Sequence, residues 1–96
     1  MIVVEGTIRV ADLERARSAI EAMIAASRAE AGCIDYGYAV DLLDPHLVRV
    51  SEKWESRAAL RAHGASDHIR AWRALWPSIG VSDRSLRMYE AVAEPI

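Results

Sequence analysis

Apolar residues in this chain repeat every second position, then every third or fourth, then every second position through two more segments, before both patterns return once each. Period two marks a half-buried strand and a period of about 3.6 marks an amphipathic helix. That succession limits the fold more than any other property of the sequence. Ile2, Val4, Ile8 and Val10 alternate with Val3, Glu5, Thr7 and Arg9, which predicts a strand over Ile2–Val10. Gly6 falls on the apolar side, where an interior glycine marks a bulge, a bend or a close approach to the backbone. Asp12 then caps a helix running to about Ala31, with Leu13, Ala16, Ile20, Met23, Ile24 and Ser27 as its buried stripe and Gly32 closing it.

A second strand covers Cys33 to Asp41, with Ile34, Tyr36, Tyr38 and Val40 on one face and a turn at Asp44-Pro45. In the third, Leu47 to Glu55, Val48, Val50, Glu52 and Trp54 point one way, and Leu47, Arg49, Ser51, Lys53 and Glu55 the other. Ser56 caps a short helix from Arg57 to Gly64. Ser66 caps another that runs to Trp76 and is stopped by Pro77, with Ile69, Trp72 and Trp76 as its apolar edge. A last strand spans roughly Ser82 to Ala93. The order βαββαβ, with the second helical part broken around Gly64-Ala65-Ser66, suits a ferredoxin-like α+β fold: a four-stranded antiparallel sheet with helices on one face.

At 96 residues the chain reads as a single domain, 1–96, of modest stability as a monomer. Its helices cover only one sheet face. The other carries Val3, Leu47, Tyr89 and Ala91 beside Arg9, Arg49 and Lys53, so a homodimer that covers this face is expected. A net charge of −2 without a Lys/Arg cluster argues against nucleic acid and anionic membranes as partners. The apolar runs fall far short of the ~20 residues that span a bilayer. No secretory leader is evident, and the lone Cys33 has no disulfide partner, so a reduced, cytoplasmic setting is expected.

Chemistry concentrates between Glu52 and His68. Glu52 shares the inward face with Trp54, and a carboxylate there must find a donor or remain protonated; at the sheet rim it would meet water or an arginine instead. His63 and His68 are its candidate partners, and a carboxylate–histidine pair is how a general base is usually supported. Five residues apart, they would diverge on one continuous helix and can converge only across the break. His63 lies near the apolar side of its helix. His68 sits at a helix N-terminus, whose dipole keeps the ring neutral, which makes it the first candidate base. Trp54, Trp72, Trp76, Tyr36 and Tyr38 offer flat walls, and core packing would use them equally well. The histidines lack His-x-x-x-His or His-Glu-x-x-His spacing and no Gly-x-Gly-x-x-Gly occurs, so neither a metal nor a nucleotide cofactor is expected.

Three strings carry a family likeness: Gly32-Cys33-Ile34-x-Tyr36, Asp41-x-x-Asp44-Pro45, and Glu52-x-Trp54-Glu55-Ser56-x-x-x-Leu60-x-Ala62-His63-x-x-Ser66-x-His68. Together they resemble the antibiotic biosynthesis monooxygenase superfamily, the quinol-monooxygenase-like small proteins above all. The resemblance implies a dimeric α+β barrel with a pocket between sheet and helices. It also implies oxidation of a small phenolic or quinol-type aromatic by O₂ without metal or flavin. Mapped onto this chain, Trp54 would flank the substrate, with Tyr36, Tyr38 and Trp72 around it. His68 or His63 would deprotonate it, and Glu52 would orient a histidine. Val50 stands where some aromatic-polyketide oxygenases of the family carry asparagine. Arg73 stands nearest the position of the axial histidine in haem-degrading relatives, which disfavours haem degradation. Arg70 and Arg73 keep open an isomerase of a small phosphorylated signalling metabolite. A non-catalytic, ligand-binding dimer is the other alternative.

Overall fold

The computed structural model describes residues 1–96. The elements are β1 (Ile2–Val10), α1 (Leu13–Arg28), β2 (Cys33–Val40), β3 (Leu47–Trp54), α2 (Arg57–Gly64), α3 (Asp67–Ala74), α4 (Trp76–Ile79) and β4 (Val81–Glu90). All strand pairs are antiparallel, in the order β2-β3-β1-β4. This is the ferredoxin-like α+β arrangement that the periodicities predict.

The core lies between one sheet face and the helices. Ile2, Val4, Ile8, Val10, Tyr36, Val48, Val50 and Trp54 meet Ala16, Ile20, Met23, Ile69, Trp72 and Ile79 in one buried cluster. Alternation in β1 and β3 therefore follows the sequence residue for residue. In α1 the buried residues are Ala16, Ile20, Met23 and Ser27, with Leu13 and Ile24 packed at the margin. The opposite sheet face has no helix over it; Val3 and Leu47 are half-buried there and Tyr89 is exposed. No helix is long and apolar enough to cross a membrane.

Departures from the sequence reading fall at element ends, where local hydrogen bonds decide. α1 stops at Arg28 rather than about Ala31, because the Glu30 N–H turns back to the Ser27 carbonyl and the Cys33 N–H to the Glu30 carbonyl. Gly32 closes this turn at φ 81°, a conformation that favours glycine. Ile34 is 51% exposed instead of inward, because the β2–β3 register shifts between Cys33 and Asp35. The last long helix ends at Ala74. Pro77 lies in the first turn of α4, where its missing N–H has no partner to lose. β4 ends at Glu90 rather than near Ala93.

Gly6 has a specific neighbour. A Cβ there would come within 1.9 Å of the Ser85 carbonyl oxygen, so β4 lies against β1 where a side chain would stand. The β1–β4 register slips just beyond, between Thr7 and Arg9. The helices after β3 are short. α2 and α3 have eight residues each, too few to persist alone. Ser56 accepts from the Ala59 N–H at 3.1 Å and Ser66 from the Ile69 N–H at 3.4 Å, caps worth ~1 kcal/mol each. Packing against the sheet supplies the remainder.

Candidate functional site

β3 delivers two inward side chains to the centre of the sheet. Glu52 is 4% exposed and Trp54 has no exposure at all. The Trp54 indole N–H donates to Glu52 Oε1 at 2.9 Å, the donor that a buried carboxylate at this position requires. α2 brings His63 over the pair. Its ring lies 4.7 Å from that of Trp54 and 5.1 Å from that of Tyr36, and its Nε2 stands 3.9 Å from Glu52 Oε1. That is beyond hydrogen-bond length, so Glu52 and His63 face one another without closing on each other.

The carboxylate that does hold His63 is Glu30, which the sequence reading did not single out. Glu30 Oε1 lies 2.7 Å from His63 Nδ1 and 2.5 Å from His68 Nε2. A carboxylate accepts, so the ring nitrogens facing it carry the protons. His63 therefore turns Nδ1 to Glu30 and Nε2 toward Glu52. Ser66, the α3 cap, reinforces the arrangement: its hydroxyl donates to the His63 carbonyl at 2.6 Å and lies 3.2 Å from His68 Nε2. The break at Gly64-Ala65-Ser66 brings both histidines to one carboxylate, but that carboxylate is Glu30, not Glu52.

A cavity of about 310 Å³ opens between the sheet and α2–α4. Tyr36, Tyr38, Glu52, His63 and Trp72 line it. Trp54 and His68 do not. Trp54 lies beneath His63 as packing, and His68 stands on the far side of Glu30, joined to the cavity only through that carboxylate. β4 adds Arg84, Leu86 and Met88, and the helices add Arg73 and Trp76. Tyr36 and Tyr38 stack with centroids 6.0 Å apart, and Trp72 meets Tyr38 edge-on at 6.3 Å. Burial pushes the Tyr36 hydroxyl well above the usual phenol range and raises that of Tyr38, so both stay neutral. Arg70, named above with Arg73, bonds Asp67 on the surface.

Glu30, His63 and His68 present one ligand atom each within 4.8 Å of one another. Two hydrogen bonds to a single carboxylate oxygen already satisfy that set, and a cation would have to displace both protons. Burial raises the Glu52 pKa, against the pull of the Trp54 N–H, His63 and Arg84. Its folded value therefore lies above the ordinary 4.5. Stability from this group is fully present below that value and declines as pH rises through the folded pKa. Glu52→Gln is expected to remove this decline. Denaturant midpoints of both proteins between pH 4.5 and neutrality check it, and parallel profiles would contradict it.

The family described as "Antibiotic biosynthesis monooxygenase" matches residues 1–75. A search of curated proteins returns no match. Among solved structures, a Deinococcus radiodurans protein described as a candidate antibiotic biosynthesis monooxygenase is 26% identical, with 100% of this chain and 96% of that one covered at a TM-score of 0.89. PA3566 from Pseudomonas aeruginosa is 26% identical over 96% and 94% of the two chains, TM-score 0.85. SO0527 from Shewanella oneidensis is 28% identical over 92% and 87%, TM-score 0.82.

Proposed function

Because the chain belongs to the antibiotic biosynthesis monooxygenase family, we propose that it is a cofactor-independent monooxygenase oxidising a small phenolic or quinol-type aromatic with O₂. The observation that supports this most is the pairing of His63 Nδ1 with Glu30. Glu30 holds Nδ1–H, so the neutral ring offers a basic Nε2 to the cavity beside Glu52 and between aromatic walls. A volume near 310 Å³ suits a small aromatic.

In this reading His63 Nε2 takes the proton of a bound hydroquinone, and Glu30 stabilises the imidazolium. The phenolate passes an electron to O₂, and the two radicals combine through a new C–O bond to give a ring peroxide anion. The imidazolium proton goes to the distal oxygen as the O–O bond breaks. Water leaves with the hydrogen of that ring carbon, and a carbonyl remains. Hydroquinone and O₂ become hydroxyquinone and water, with no external reductant. The mostly apolar and aromatic lining solvates the phenolate less well than water does, which favours its oxidation.

The test is O₂ uptake with a panel of hydroquinones and naphthohydroquinones, corrected for autoxidation. One hydroxyquinone should form per O₂ consumed. Binding without uptake across the panel would overturn the oxygenase reading in favour of a ligand-binding protein.

The same reading includes a homodimer, supported by the sheet face that no helix covers and by the exposed Tyr89 upon it. Sedimentation at micromolar concentration is expected to give twice the mass of one chain. A monomer alone would overturn it.

A further inference from the structure

The cavity carries a second set of groups that the oxidation does not use. Trp72 Nε1 and Trp76 Nε1 are buried donors without a hydrogen-bond partner, and both residues line the cavity. Few buried donors in folded proteins are left so. Trp72 comes near enough to the Tyr38 hydroxyl to pull its pKa down, yet closes no hydrogen bond to it. Both nitrogens are enclosed, so what the two indoles offer the cavity is ring surface.

Three arginines line the cavity, all exposed and none holding a carboxylate: Arg73, Arg84 and Arg87. Arg73 stands over the Trp76 ring at 6.0 Å, and Arg84 projects from β4. Arg9, Arg49, Arg57 and Arg70 each hold a carboxylate; Arg73 and Arg84 hold none. The charge of Arg84 nevertheless reaches inward, pulling down the pKa of both Glu52 and Tyr38. Glu52 is the one acidic residue of the lining, and its burial favours the neutral form. The cavity thus has a basic, titratable floor and a cationic, donor-rich rim.

We propose that the cavity selects an aromatic acid: a ring whose hydroxyl faces His63 and whose carboxylate is received by Arg84 and Arg73 at the rim, with Trp72 and Trp76 as flat walls beside the ring. A guanidinium matches a planar carboxylate with two parallel donors, and the flat indoles suit the plane of the ring. The proposal rests on the cavity named above as the substrate site and narrows its substrate class.

The test compares a dihydroxybenzoate, its hydroxyls para to one another, with its methyl ester, by calorimetry at neutral pH. The two share ring and hydroxyls and differ in charge. Wild-type protein is expected to bind the acid at least about tenfold more tightly. In the Arg73→Gln/Arg84→Gln variant that preference should shrink to about threefold or less with the ester affinity unchanged. Both side chains are exposed and unpaired, so folding is not at stake. Equal binding of acid and ester by the wild type would overturn the selectivity and leave the cavity standing as a site. A preference that survives in the double variant would overturn the role of the arginines. Binding of neither ligand would overturn the substrate site itself.

Discussion

His63→Gln is expected to lower O₂ uptake with an accepted quinol by about 10²–10⁴-fold, the usual contribution of a positioned general base. Glutamine retains a polar side chain over Trp54 but has no basic nitrogen. Binding of the quinol, read from tryptophan fluorescence, should change far less than turnover, because the aromatic walls remain. Glu30→Gln should also slow turnover. It frees the ring to take either tautomer and removes the charge that stabilises the imidazolium, and a flatter pH–rate profile would mark that positioning role. His68→Gln is expected to cost less than about tenfold, since His68 touches Glu30 and not the cavity. Abolished turnover in His68→Gln with activity retained in His63→Gln would reverse the assignment.

Trp54→Ala is expected to cost about 3–5 kcal/mol for the cavity it leaves, and ~1–3 kcal/mol more because Glu52 loses its buried donor. Against a total of about 5–15 kcal/mol for a domain of this kind, this consumes most of the folding free energy. The variant should show no cooperative urea transition at 25 °C, or a midpoint close to zero denaturant. Trp54→Phe separates the two contributions, retaining most of the ring but not the N–H. It should unfold cooperatively, with a steeper loss of stability toward neutral pH than wild type, because nothing offsets the burial of Glu52. A fully stable Trp54→Ala protein would show that the indole is not the support on which His63 rests.

Nearly all of the architecture was legible in the sequence because alternation is set by burial, and burial is what side chains report. Ile2 to Val10 and Val48 to Trp54 are simple cases: each residue's side of the sheet follows from the period-two alternation, the charged Glu52 included. Ile34 was misread because a register shift moves a residue off its face without changing its character. The same limit governed the site. Glu52 and Trp54 stand out as a carboxylate and an indole on an inward face. Glu30 resembles any solvated acid near the end of a helix. Only the turn through Gly32, which ends α1 early, directs it inward. Nothing in residue spacing distinguishes an acid that points at water from one that points at two imidazoles. Without Glu30 in view, the helix dipole alone ranks the histidines, and it puts His68 first.

Glu30 also gives the site two unlike sides. It stands just before β2, at one edge of the sheet, and grips α2 and α3 together through a single oxygen. At the other edge lies β4, whose Arg84, Leu86 and Met88 face the cavity with no comparable tie to those helices. Glu30 thus ties the helices on the β2 side of the cavity, while the exposed Arg84 and Arg73 stand at its β4 side.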